Sequence, residues 1–139
     1  MAALSIAIMG AAAMSGGTAS ALTPVSPEEI AAPSGQVVLL NEIILDAPGP
    51  DGPITHYRYF MPGIARDGGP VGFAQAADDL QYLCDSAVVP DLALKGPLPD
   101  AVILSAADRV VAFGDTDPDA TQFFTAFDIV DGRCILEPF

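Results

Sequence analysis

The clearest periodic pattern of apolar residues lies in the segment 73–87 (FAQAADDLQYLCDSA). Apolar side chains recur there at intervals of three and four residues, at Phe73, Ala76, Ala77, Leu80, Leu83, Cys84 and Ala87. This spacing predicts an amphipathic helix with one buried stripe. Pro90 predicts the end of the helical region, and the segment 92–99, which carries two more prolines, is expected to be a loop.

Two earlier segments have the composition of strands. The segment 36–46 (QVVLLNEIILD) is rich in β-branched residues and predicts a strand with a bulge near Asn41. The segment 54–61 (ITHYRYFM) predicts a second strand, in which Thr55, Tyr57, Tyr59 and Met61 share one face and His56, Arg58 and Phe60 share the other. Turn-forming residues at 47–53 join the two as an antiparallel hairpin.

The last third of the chain predicts more strands. Residues 101–105 predict a short buried strand, and residues 110–113 are expected to extend it after a turn. Segments 121–130 and 133–139 flank Asp131-Gly132, a pair that favours a tight hairpin turn. Phe123 and Phe124 must face opposite sides of their strand, so either one is exposed to a partner or both faces are covered within the fold. On the final strand Cys134 and Leu136 share one face, opposite Arg133, Ile135 and Glu137.

The first 21 residues (MAALSIAIMGAAAMSGGTASA) resemble a targeting segment. An apolar run over 2–14 is followed by a polar patch and the triplet A-S-A at 19–21, which predicts cleavage before Leu22. Gly10, Gly16 and Gly17 disfavour a stable membrane span. The segment lacks the usual basic residue near Met1, and the alternative is a buried alanine-rich helix. We expect a signal peptide, Sec-type export to the periplasm and no membrane span after cleavage.

The chain after this leader predicts an extended lead-in at 22–34 and a single domain at 35–139. Its fold class is α+β: a small, mainly antiparallel sheet in the order β-β-α-β-β-β, with one helix packed on one face. Cys84 lies on the helical stripe and Cys134 on an inward strand position. In an exported domain these two cysteines predict one disulfide, which closes a ring of about 51 residues worth roughly 4 kcal/mol. The alternative is two buried free thiols.

Charge narrows the classes of partner. Five Lys and Arg residues stand against 18 Asp and Glu, a formal net charge of −13. The five cations are scattered, which argues against nucleic acid and against anionic membrane surfaces. The acidity serves either solubility or docking to a basic partner.

Few residues have the arrangement that catalysis needs. The single histidine, His56, has Ser86 and Ser105 as candidate hydroxyl partners but no G-x-S-x-G motif, and a Cys84–His56 pair requires a free thiol. Candidate carboxylates are Asp78, Asp79 and Asp108, the last beside Arg109. Adjacent helix positions point about 100° apart, so an ion pair of Asp78 or Asp79 with Arg58 or Arg109 is the better interpretation. No phosphate-binding loop or cofactor motif is present, so no cofactor is expected.

One acidic loop carries a spacing found in calcium sites. Asp115, Asp117 and Asp119 alternate along the chain as calcium ligands do. The rest departs from the calcium-loop pattern, since Ala120 and Ala126 stand where glycine and glutamate are expected. The alternative is a helix start, with Asp117 as the N-cap and Pro118 in the first turn.

Three segments together resemble a known family: FAQAADDLQYLC (73–84), DPDATQFF (117–124) and DGRCILEPF (131–139). The chain is similar, over roughly 33–139, to small exported proteins of alphaproteobacteria of the Rhodobacter and Roseobacter type, grouped as a domain of unknown function. The resemblance implies export and one fold, and it carries over no catalytic residue. Some members bear the label acetolactate synthase, but such an enzyme is several times longer and needs a thiamine-diphosphate motif that this chain lacks.

These observations favour a non-enzymatic, exported, disulfide-bonded protein that acts through protein–protein contacts, with another envelope protein as partner. The alternative is a module that binds a small ligand or calcium, and a hydrolase is the third hypothesis. The oligomeric state is left open.

Overall fold

The computed structural model describes residues 29–137, so the predicted leader, the start of the lead-in and residues 138–139 of the predicted last strand lie outside the described residues. Its strands are β1 (Glu29–Ala31), β2 (Val37–Ala47), β3 (Ile54–Phe60), β4 (Ala101–Ala107), β5 (Gln122–Val130) and β6 (Arg133–Leu136). Between β3 and β4 come a 3₁₀ turn (Pro62–Ile64) and a helical segment made of α1 (Phe73–Leu83), a π-helical turn (Cys84–Val88) and α2 (Val89–Lys95).

The six strands form one sheet in their order along the chain, β1-β2-β3-β4-β5-β6. Neighbouring strands are antiparallel except β3 and β4, which run parallel because the helical segment connects them across one face. The predicted α+β class, with a mainly antiparallel sheet and the helix on one face, is confirmed. An additional strand, β1, lies in the predicted lead-in, where Glu29 pairs with Leu39.

A β-bulge at Asn41 decides which side chains of β2 reach the core. Leu40 pairs with Tyr59 and Glu42 pairs with Arg58, which leaves Asn41 as the extra residue and confirms the predicted bulge. In a regular strand, positions 40 and 43 would face opposite sides. Because the bulge adds one residue between them, Leu40 and Ile43 both pack against the core beneath the helix.

The β5–β6 hairpin turns through Asp131 and Gly132, as predicted. Both residues have positive φ, 52° and 76°, which is the conformation that a two-residue hairpin turn requires. The turn also sets the register, with Val130 opposite Arg133 and Ile129 opposite Cys134. Cys134 therefore faces the helix, and Arg133 and Ile135 face away from it.

The helical segment begins at Phe73 as predicted but continues past Pro90 to Lys95, so the predicted end at Pro90 is wrong. In a regular helix the proline ring would clash with the carbonyl four residues earlier. Here the π-helical turn widens the helix just before that point, and the N–H of Val89 bonds to the carbonyl of Cys84. Pro90 thus occupies the first turn of α2, where proline is tolerated.

The core lies between the helical segment and one face of the sheet, called here the helix face. The predicted stripe of α1 is buried at Ala76, Leu80, Leu83 and Cys84, and α2 adds Leu92. The predicted face of β3 is buried at Thr55, Tyr57, Tyr59 and Met61, and the neighbouring strands add Val38, Val102, Leu104 and Phe127. None of the helices in the described part of the chain has both the length and the apolar character that a membrane crossing requires.

Cys84 and Cys134 form a disulfide, which confirms the predicted pairing. Two hydrogen bonds stand beside it: Asp85 accepts from the N–H of Cys134 at 2.8 Å, and the Gln81 amide donates to the Cys134 carbonyl at 2.9 Å. The π-helical turn and the last residues of α1 therefore bring three side chains to one residue of β6, and the disulfide fixes the helix against the last strand.

A polar contact holds α2 on the sheet. The hydroxyl of Tyr57 donates to the Asp91 carboxylate, and Lys95 donates to the same carboxylate at 2.5 Å. The ammonium of Lys95 also lies 5.6 Å from the centre of the Tyr57 ring. The hydrogen bond from Lys95, followed by that from Tyr57, lowers the pKa of Asp91, while partial burial opposes this shift.

Residues 110–113 do not extend β4, contrary to prediction, because the chain leaves the sheet after Ala107 and forms a loop to β5. Val111 is buried in this loop, and its carbonyl accepts a hydrogen bond from Arg58 at 2.8 Å. The β4–β5 loop thus covers part of the second face of the sheet.

Candidate functional site

The second face of the sheet, called here the open face, carries apolar side chains at half exposure. In the β4–β5 pairing, Ile103 stands opposite Ala126 and Ser105 opposite Phe124, and these side chains point away from the helix. Phe124 is 55% exposed and Ile135 on β6 is 50% exposed. Phe123, on the opposite side of β5, packs against the core. The sequence left open whether one of these two phenylalanines is exposed or both are covered. Phe124 is exposed, so the first alternative is correct.

Phe113 of the β4–β5 loop covers the centre of the open face. Its ring meets the His56 ring edge-on at 5.0 Å and lies 5.4 Å from the guanidinium carbon of Arg58. Arg58 is only 6% exposed and forms an ion pair with Glu42. Burial, followed by the positive charge of Arg58, lowers the pKa of His56. The histidine is therefore packed against Phe113 in surroundings that disfavour its protonated form.

Beside this covered centre, the open face holds a groove of about 450 Å³, called here the acidic groove. Its floor is apolar and is formed by Ile54, Ile103 and Ala126. One wall is the β2–β3 turn (50–53) and another is the loop before β4. Four carboxylates line it, and no lysine or arginine does; they are Asp51, Asp100, Asp128 and Glu137.

The surroundings of Glu137 in the acidic groove disfavour its ionised form. Partial removal from water raises the pKa of Glu137, and the neighbouring Asp128 and then Asp51 raise it further. Glu137 reaches this position because its N–H bonds to the carbonyl of Ala126 at 2.9 Å, which continues the β5–β6 pairing by one residue. A cation in the groove would therefore be attracted by several charges at once.

The candidate nucleophiles are not brought together with a base. Cys84 is in the disulfide on the helix face, whereas His56 lies on the open face. The Ser86 hydroxyl donates to the carbonyl of Tyr82 at 2.7 Å, within the helix. Ser105 is buried opposite Phe124 in the sheet. His56 and Glu137 are separated by three strand spacings, about 14 Å, which is too far for a proton transfer between them.

The two neighbouring helix carboxylates, Asp78 and Asp79, point apart as expected: Asp78 is exposed, and Asp79 is fully buried. Asp79 accepts hydrogen bonds from the backbone N–H of Ser34 at 2.9 Å, from the Ser34 hydroxyl at 2.6 Å and from the Gln36 amide at 2.6 Å. Asp79 therefore fixes the β1–β2 turn to α1 and is unavailable to a substrate.

The predicted ion pair of Asp78 or Asp79 with Arg58 or Arg109 does not form. Arg58 binds Glu42 on the neighbouring strand, and Arg109 binds the adjacent Asp108 at 3.1 Å. The Asp108 carboxylate also accepts from the N–H of Thr121 at 2.8 Å, so it closes the base of the β4–β5 loop. Arg58 lies on the opposite side of the sheet from Asp79, and Arg109 lies in this loop. The prediction is wrong because neither arginine is near the helix.

The acidic loop forms a β-turn and starts no helix, so the predicted N-cap is wrong. The N–H of Ala120 bonds to the carbonyl of Asp117, and the Asp117 carboxylate accepts from the N–H of Asp119 at 2.9 Å. Aspartate followed by proline is typical of the first two positions of such a turn. Within residues 29–137 no group of three or more His, Cys, Asp or Glu side chains is placed to hold a metal ion, so Asp115, Asp117 and Asp119 do not converge.

The four carboxylates of the acidic groove were not identified from the sequence. They lie in the β2–β3 turn, in the loop before β4, in β5 and just after β6. The antiparallel pairing of β4, β5 and β6 brings three of them together, and the parallel β3–β4 pairing adds Asp51. Two signals were present: Glu137 falls on the predicted outward face of the last strand, and Asp128 shares the alternation of Phe124 and Ala126. Neither signal shows that the turn at 50–53 forms the facing wall.

Comparison with known proteins gives one match. Residues 9–139 match the model of a family described as a family of unknown function, DUF6497. No curated protein and no solved structure matches the chain.

Proposed function

Since the chain belongs to DUF6497, a family of unknown function, we propose from its own surface that it is a non-enzymatic, exported, disulfide-bonded domain that acts through protein–protein contacts on its open face. Its partner, on this proposal, is another protein of the cell envelope. The protein then works by binding, and the disulfide keeps the binding surface rigid outside the cytoplasm.

One observation carries this proposal: the open face presents large apolar side chains to solvent beside an apolar groove. Phe124 and Ile135 are each at least half exposed, and the floor of the acidic groove continues the apolar surface. Contiguous exposed apolar surface of this kind, with a polar rim, is typical of protein interaction sites. In the same strand as Phe124, the side chain of Phe127 is only 1% exposed, so the exposed ring of this pair is the one on the open face.

Two observations support export. The chain holds a disulfide between its two cysteines, and such bonds persist mainly in oxidising compartments. The sequence before the described residues has the pattern of a signal peptide, with predicted cleavage before Leu22.

Site-specific photo-cross-linking in cells tests the binding surface. A photoreactive amino acid replaces Phe124 or Ile135 on the open face, and Leu94, which is 88% exposed on α2, provides the control position. We expect a discrete higher-mass adduct from the open-face positions and none from position 94. Absence of an adduct at both open-face positions, or an equal adduct at position 94, would overturn the proposal.

An intact mass of the protein from the periplasmic fraction tests export separately. We expect a mass that begins at Leu22 and thiols that alkylate only after reduction. A mass that begins at Met1 with two free thiols contradicts export.

A further inference from the structure

We infer that the acidic groove binds a basic, extended segment of the partner protein. In this arrangement an apolar side chain of the segment rests on the floor of the groove, and flanking lysine or arginine side chains pair with its carboxylates. The inference deepens the proposed function and rests on it, since it names the chemistry of the partner and the part of the open face that receives it.

The shape of the groove suits a chain segment with an apolar anchor. Ile103 and Ala126 are directly opposite in the β4–β5 pairing, and Ile54 lies at the start of β3 beside them. Because Ala126 is small, the sheet surface is lower there than at Phe124, two residues earlier on the same face of β5. The β2–β3 turn stands at one side and Glu137 at another, so the floor lies between two walls.

The charges around this floor call for a basic partner. The ion pairs of the described residues use Arg58, Lys95 and Arg109, and none of these cations lines the groove. Arg66 donates instead to the carbonyls of Pro118 and Ala120, and Arg133, at the β5–β6 turn, is not part of the groove lining either. Four carboxylates therefore surround an apolar floor with no cation of the lining to balance them, and charge complementarity selects a positively charged occupant.

Other occupants fit these observations less well. A second copy of this chain carries a formal net charge of −13 and is repelled by the rim. A nucleic acid brings phosphates to the same carboxylates and is repelled in the same way. A free polyamine would satisfy the rim but would leave the isoleucine floor without an apolar partner. A protein segment that alternates basic and apolar side chains satisfies both parts of the groove.

Fluorescence anisotropy with a labelled short peptide of alternating lysine and leucine tests the inference on the disulfide-bonded chain. When the leucines rest on the apolar floor, the long lysine side chains beside them bend back to reach the carboxylates of the walls. Two further probes are a lysine–glycine peptide of equal charge and a glutamate–leucine peptide. We expect binding of the lysine–leucine peptide that weakens with added salt, weaker binding of the lysine–glycine peptide, and no binding of the glutamate–leucine peptide.

A pair of matched double variants locates the site. Asp128→Asn with Glu137→Gln removes two charges of the groove, and Asp115→Asn with Asp119→Asn removes two exposed charges from the β4–β5 loop. We expect the Kd for the lysine–leucine peptide to rise about tenfold in the groove variant and less than about twofold in the loop variant. The loop charges have little effect because exposed charges in salt act only over short distances. Melting curves of both variants confirm that the fold is retained.

The inference is overturned if the two double variants weaken binding equally, since net charge alone would then explain it. It is also overturned if the lysine–glycine peptide binds as tightly as the lysine–leucine peptide, or if sedimentation shows a dimer that the groove variant dissociates. If the peptides fail while the cross-links from positions 124 and 135 persist, the inference fails and the proposed function stands. If those cross-links are absent, the proposed function itself fails.

Discussion

The two faces of this sheet differ in how each side chain finds its partners. On the helix face, Tyr57, Leu104 and Phe127 are almost completely buried, and the polar groups there are held in specific hydrogen bonds to Asp79, Asp85 and Asp91. On the open face, apolar side chains of similar size are half exposed, and four carboxylates surround a groove without a cation. The comparison shows that buried packing is concentrated on the helix face, whereas the open face keeps apolar and acidic side chains in contact with solvent.

Two phenylalanines of β5 provide the most direct test of this difference between the faces. Phe127→Ala removes a ring that is 1% exposed on the helix face, and we expect a loss of about 3–5 kcal/mol from the free energy of unfolding. Phe124→Ala, on the open face of the same strand, should cost only about 0.5 kcal/mol. Urea denaturation of the two variants measures both values. Similar losses from the two variants would show that the open face also contributes to the core.

The buried carboxylate of Asp79 tests how much the polar contacts of the helix face contribute to stability. Asp79→Ala leaves the donors of Ser34 and Gln36 without their acceptor, and we expect a loss of about 3 kcal/mol in unfolding free energy. Asp78→Ala, one residue earlier and exposed, is the matched control and should change stability by no more than about 0.5 kcal/mol. Chemical denaturation of both variants checks this. If the control lost as much as Asp79→Ala, the three hydrogen bonds would not be the cause.

The smallest effect expected is the dependence on pH of the Asp91 contact. Because the folded pKa of Asp91 lies below its ordinary value, its ionised form stabilises the fold above the unfolded pKa near 3.8. This contribution is lost as the pH falls through the lower folded value. The difference in Tm between the wild type and Asp91→Asn should therefore shrink between about pH 6 and about pH 3.

Asp115→Asn changes the charge equally in an exposed loop and serves as the control for this titration. Its difference from the wild type should vary less with pH than that of Asp91→Asn. A difference for Asp91→Asn that stays constant down to about pH 3 would contradict the lowered pKa.

The features that could be predicted from the sequence depend on neighbouring residues. The Asp131-Gly132 turn follows from two residues that adopt positive φ, and the bulge follows from an apolar run at Asn41 that does not alternate. The disulfide was predictable because the helical stripe and the strand alternation each orient one cysteine inward. In these cases the local pattern already contains the physical cause.

The features that were missed depend on contacts between distant segments. The helix passes Pro90 through a π-helical turn from which Asp85 bonds to β6, and the spacing of apolar residues in the helix holds no information about that distant contact. The acidic groove requires β3 and β4 to lie parallel and adjacent, which follows from the crossover of the helix. Asp79 pairs with Ser34 and Gln36 for the same reason, since a turn more than forty residues away folds against the helix.

Asp85 and Gln81 occupy the N–H and the carbonyl of Cys134, in the middle of the last strand of the sheet. An edge strand whose backbone groups are unbonded can pair with a strand of another molecule, which leads to sheet extension or aggregation. At Cys134 those groups are already bonded by the protein's own helix, so an added strand would have to displace them. The helix therefore protects the middle of this edge strand from pairing with a strand of another molecule.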